Sequence, residues 1–167
     1  AGVSSSSVVP AGMRRSQELF ILMFLLRGLP FVDLAYLRKS DLRDHVITYR
    51  RRKTGRSLSV TVTPEAMAIL KKYISRDDTS PYLFPLLKSG EGTKEAYREY
   101  QSALRSFNQQ LMLLGEWLAL NDRLSSYTAR HTWATTAYHC EIHPGIISEA
   151  MGHSSITVTE TYLKPFR

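Results

Sequence analysis

Tyr162 in TETYLK, Arg130 in ARHTWAT, His153 in MGHSS and Lys53 in RRRKTGR are the residues whose types can do chemistry together. A tyrosine hydroxyl has an intrinsic pKa of about 10, so it becomes a nucleophile only with help in losing its proton. A guanidinium matches the oxygens of a phosphate with two parallel contacts. An imidazole donates a hydrogen bond or assists a proton transfer, and a lysine on a turn can hand a proton to a departing oxygen. These types suit attack on a phosphodiester. The phosphorus passes through a charged pentacoordinate state, cations hold its non-bridging oxygens, and an alcohol leaves. Because the cations are side chains, the chemistry calls for no metal and no cofactor. Alone, Tyr162 reads as an ordinary half-buried tyrosine, and Lys53 as a solvated turn lysine. Their company changes that reading.

Composition narrows the partner. The 167 residues suit one domain, with ordinary apolar (43%) and charged (22%) shares. Lys and Arg outnumber Asp and Glu by 22 to 15, a net charge of +7. That excess points to a polyanion, either nucleic acid or an anionic surface. A single cysteine, Cys140, allows no internal disulfide and suits a cytoplasmic protein. The longest apolar run, 19–26, is too short to span a bilayer and reads as a buried helix. The opening AGVSSSSVVPAGMRR lacks a signal-peptide pattern. Residues 1–15 are expected to form a flexible lead-in, with one domain over 16–167.

The elements that must position these residues follow from periodicity and caps. A helix is expected over 16–27, ending before Gly28 and Pro30, and a short one over 31–37. Residues 46–49 read as a strand, RRRKTGR as a turn, and SLSVTVT as a second strand in which Leu58, Val60 and Val62 share a face. The pair makes a hairpin turning at Gly55. Thr63 and Pro64 start a helix to about Ser75, and 82–84 reads as a third short strand. Thr93 caps a long helix towards Leu120, broken near Gly115. Ser125 or Ser126 caps another to Tyr138, Pro144 starts one ending at Gly152, and 157–162 forms the last helical turns. The fold class is mainly α with a small antiparallel β-sheet.

In order and spacing, Lys53, Arg130, His153 and Tyr162 resemble the tyrosine recombinase and phage-type integrase family from about Ser16 onward. The family has an H-x-x-R box, a G-H motif in the second helix beyond it, and a tyrosine some nine residues later. Its hairpin lysine matches Lys53, and RGLPFVDLAYLRKSDL resembles the region of its first arginine. The resemblance implies the recombinase catalytic-domain fold, with the family's N-terminal DNA-binding domains absent from this chain. It implies cutting and rejoining of double-stranded DNA at specific sites through a 3′-phosphotyrosine, without metal or ATP. Tyr162 would be the nucleophile, Lys53 the general acid, Arg130 the phosphate clamp, and His153 a donor to the phosphate or an aid to Tyr162. The implied partners are DNA, a homotetramer on it, and an accessory DNA-bending protein; no membrane is implied. Arg50, Arg51 and Arg52 read as a patch contacting DNA phosphates.

Two positions depart from the family pattern. Tyr127 stands three residues before Arg130, where histidine is usual, and takes a supporting donor role. Pro30 stands where the first arginine is expected, and proline has no donor to offer. Arg27 and Arg56 are the candidate replacements, with Arg56 slightly favoured because it shares the hairpin with Lys53. This gap resembles integrases of Bacteroides-type conjugative transposons. Asp33, at the family's acidic position, is expected to orient an arginine or cap a helix. The missing arginine keeps open a DNA-binding protein that has lost catalysis, and the shared chemistry keeps open a type IB topoisomerase. His131 reads as a packed or N-terminal-turn histidine, and His139, Cys140 and His143 make a poor metal site, since Pro144 disfavours helix at His143. Asp77 and Asp78 read as a polar loop.

Overall fold

Helix α1 (Ala11–Leu25) lies at the centre of a computed structural model that describes residues 8–163, apart from the side chains of residues 161 and 162. It begins at Ala11 rather than Ser16. Pro10 sets an extended entry to the first turn, and Val9 and Met13 already pack on the core. It ends two residues earlier than expected. Arg27 (φ 61°) and Gly28 (φ 70°) turn the chain back, and the Leu29 N–H returns to the Met23 carbonyl at 3.1 Å. Leu19, Leu22 and Met23 are buried, and α1 packs against three later helices: α3 (Pro64–Tyr73), α4 (Lys94–Trp117) and α5 (Ser126–His139). Between α1 and α3 come α2 (Phe31–Tyr36), a 3-10 turn (Lys39–Asp41) and a three-stranded antiparallel sheet.

The sheet runs β1 (Leu42–Arg43), β2 (Val46–Arg50), β3 (Ser57–Thr61), in that spatial order. Tyr49 pairs with Leu58 and Ile47 with Val60. The expected alternation holds: Val60 and Val62 are buried and Leu58 packs partly against the core. Residues 82–84 are not a strand of this sheet. Tyr82 makes one isolated bridge, to Arg38, and the third strand is Leu42–Arg43. Their apolar run reflects burial: Tyr82, Leu83 and Phe84 are each about 1% exposed, threaded between 37 and 75 by backbone bonds of Leu83.

The helix starts follow their caps. Thr63 and Thr93 side chains accept from the backbone N–H groups of Ala66 and Ala96. At α5 the Ser125 N–H donates to Thr128 Oγ1 at 3.1 Å. Helix α4 continues unbroken through Gly115, whose bare face lies against Leu124. Beyond α5 come α6 (Pro144–Met151), ended by Gly152 in the left-handed region, and α7 (Ile156–Leu163), which carries Tyr162. The His143 ring nitrogen caps α6, accepting from the Gly145 N–H at 2.9 Å, and Asp77 accepts from Thr79 within its own loop. No helix among the described residues is long and apolar enough to cross a membrane.

Candidate active site

Arg130 is 4% exposed, and α5 aims it between two backbone carbonyls. Its Nη1 donates to Gly28 O and its Nη2 to Met151 O, each at 2.8 Å. Gly28 makes this approach possible, because a Cβ there would stand 2.9 Å from Arg130 Cα. Any larger residue would push the end of α1 off α5.

Arg51 stands beside it. In β2, Ile47 and Tyr49 face the core, and the same alternation carries one residue past the strand to Arg51, which is 6% exposed. Its Nη1 donates to Gly152 O at 3.0 Å, and Thr54 Oγ1 donates to the same oxygen at 3.0 Å. Met151 O and Gly152 O close the C-terminal end of α6, the negative pole of that helix. Two guanidiniums are thus seated on one helix terminus. Of Arg50, Arg51 and Arg52, the three expected to contact DNA phosphates, strand parity turns Arg51 inward. Arg50 folds back on Gly55 O at 2.9 Å, and Arg52 pairs with Glu91 at 2.8 Å.

His153 is 1% exposed, and its Nδ1 hydrogen-bonds Thr159 Oγ1 in α7. Burial, then the charges of Arg130, Arg51 and Lys53, drive its pKa from 6.5 down to about 3, so the ring is neutral near pH 7. Asp33, 3% exposed on α2, accepts the Arg52 N–H on Oδ1 at 3.0 Å. Burial raises its pKa more than that bond and the charges of Arg51, Arg130 and Arg52 lower it. The Tyr49 hydroxyl is pushed upward by burial and by Asp33, and stays protonated. Asp33 Oδ2 and Arg51 Nε are buried with no hydrogen-bond partner among the described residues.

The remaining expected residues surround this cluster. Lys53 is exposed on the hairpin turn and close enough to act electrostatically on His153. Arg56 is exposed, with Nη2 at 3.4 Å from Ser154 O, and Arg27 is half-buried at the turn after α1. Tyr127 is 57% exposed on the first turn of α5, its ring stacked on His131. Pro30 caps α2. The Tyr162 side chain lies outside the described residues. Sequence reading missed Arg51 as a site cation and Thr159 as the partner of His153. The first was signalled by strand parity; the second carries no motif.

Two buried guanidiniums and a neutral imidazole thus gather around the end of α6, on a mainly helical domain with a small antiparallel sheet. The chain belongs to the phage integrase family, whose model matches residues 10–167. It is 25% identical over 161 residues to the tyrosine recombinase XerA of Thermococcus onnurineus, covering 95% of this chain and 54% of that protein. The chain thus spans about half the length of the curated relatives it matches. The fold is that of a solved XerA recombinase, with a TM-score of 0.63 at 18% identity over 96% of this chain and 61% of that one. It is similarly close to the Tn1549 transposon integrase solved in complex with transposon right end DNA: TM-score 0.62, 18% identity, 89% of this chain and 54% of that one.

Proposed function

We propose that this chain is the catalytic domain of a site-specific DNA recombinase. The carrying observation is the pair Arg51 and Arg130, buried side by side on the carbonyls that end α6. Two guanidiniums fixed before substrate arrives suit the charge that grows on the non-bridging oxygens in the transition state. Arg51 takes the part left empty by Pro30, and its unpartnered Nε supports this. Arg56 and Arg27 are then left as outer cations.

Tyr162 attacks phosphorus, the bond to the 5′ oxygen breaks, and a 3′-phosphotyrosine forms. Lys53 protonates the departing 5′ oxygen. Neutral His153 hydrogen-bonds the phosphate or receives the Tyr162 proton, and Tyr127 donates from the rim. A new 5′ hydroxyl reverses the step, so the ester is conserved without ATP. Double-stranded DNA is the partner, held by a homotetramer, in the cytoplasm. The gap at Pro30 supports the finer likeness to integrases of Bacteroides-type conjugative transposons.

The test is covalent capture from a pool of nicked duplexes of randomised sequence. Wild type should leave a denaturant-stable adduct, and Tyr162→Phe none. Binding without any adduct would turn the reading into a DNA-binding protein, and relaxation of plasmid without site preference into a topoisomerase.

A further inference from the structure

Lys53 sits at the tip of a short turn whose own bonds are few. Arg51 N–H donates to Arg56 O at 2.8 Å, and Gly55 N–H to Arg51 O at 2.7 Å. The lysine therefore stands wherever the shoulder of the hairpin is held. Fastenings come from the site side: Arg51 and Thr54 on Gly152 O, the Arg52 N–H on Asp33, and Arg56 on Ser154 O at 3.4 Å. Another comes from outside it. The Arg52 guanidinium lies 3.7 Å over the Tyr36 ring and donates from Nη1 to Glu91 Oε1 at 2.8 Å. Glu91 belongs to the loop before α4, and its other oxygen is gripped by Arg38 through Nε at 3.1 Å and through Nη2. A lone exposed ion pair holds little, but this carboxylate joins two guanidiniums, one of them stacked on an aromatic ring. The side chains are only about a third to a half exposed (Arg52 35%, Glu91 37%, Arg38 46%).

We propose that Glu91 is a positioning residue that, through Arg52, holds the hairpin so that Lys53 stands over the departing oxygen. The Arg38–Glu91–Arg52 arch is a side-chain strut between the hairpin, the segment after α2 and the loop before α4. Arg52 thereby serves the reaction as a tether of the lysine rather than as a phosphate contact. This rests on the reading of Lys53 as general acid.

Two measurements on the full chain test it. Glu91→Gln should speed amide hydrogen exchange at residues 51–56 by about tenfold without DNA, while exchange in α1 is unchanged. On a duplex recovered by covalent capture, the same variant should cleave about tenfold more slowly. A 5′-bridging sulfur at the scissile phosphate should restore its rate, because a thiolate leaves without being protonated. Lys53→Ala must show the same rescue. If it does not, the general-acid reading fails, and the strut is judged on exchange alone. Unchanged exchange in Glu91→Gln overturns the strut. So does tighter DNA binding with unchanged cleavage, which would make Arg52 a phosphate contact that Glu91 masks.

Discussion

At the scale of single residues, the proposed reaction rests on Arg51 and Arg130, charges that the protein buries in advance. Arg51→Ala should abolish cleavage of an ordinary phosphate. It should regain part of the rate on a methylphosphonate, whose missing negative oxygen no longer needs a cation; a variant lost through misfolding would not recover. His153 gives a pH signature. The folded chain keeps it neutral down to about pH 3, whereas the unfolded chain protonates it below 6.5. Between those values the unfolded state binds more protons, so stability falls as pH falls. The loss is on the order of 2 kcal/mol from pH 6.5 to 4.5. Asp33, raised by burial, acts in the opposite sense at the acid end. Denaturant midpoints across that range should flatten in His153→Gln; an unchanged slope would assign the pH dependence elsewhere. Arg130 and His153 were legible because each lies in a short local motif. Arg51 was hidden because it looks like its neighbours in RRRK and differs only in strand parity.

At the scale of elements, three of the four glycines with positive φ among the described residues divide by what lies beside them. A Cβ at Gly55 meets nothing within 4 Å; at Gly152 it meets Leu58 Cδ1 at 2.8 Å; at Gly28 it meets the Arg130 backbone at 2.9 Å. Gly55→Ala should therefore cost about 1 kcal/mol, the backbone term alone. Gly152→Ala should cost about 2 kcal/mol, because a flexible leucine can shift, and Gly28→Ala about 3 kcal/mol or more, because backbone cannot. Urea unfolding of the three variants checks the order. Most elements were legible from caps and alternation: Thr63, Thr93 and Ser125 start their helices as expected, and Val60 and Val62 turn inward. Residues 82–84 misled because an apolar run records burial without saying whether a ladder or a threaded segment supplies it.

At the scale of the molecule, the described apolar core has separate parts. A large cluster joins α1–α4 and the sheet, reaching α5 through Ala129. A smaller one, built on Ala134, Ile147, Met151 and Leu163, holds α6 and α7 to the rest of α5. His153 and Tyr162 ride on the smaller unit, while Lys53 and Arg51 ride on the larger. With fewer apolar contacts beneath them, α6 and α7 should open without global unfolding. Native-state hydrogen exchange should show their amides exchanging at least about tenfold faster than those of α1 and α4. Equal protection throughout would mean a single cooperative block. The net charge of +7 suits a polyanion, but composition has no direction and does not say which face would meet one.

The Gly152 carbonyl is where these two units meet. Its oxygen has two lone pairs, and Arg51 and Thr54 occupy both. That oxygen is correctly aimed only while α6 is wound to its last turn. An unravelled α6 therefore frees the Arg51 guanidinium and the Thr54 hydroxyl in the same event that displaces His153. The end of α6 thus couples the two units, because opening it displaces the Arg51 and Arg130 guanidiniums and His153 together.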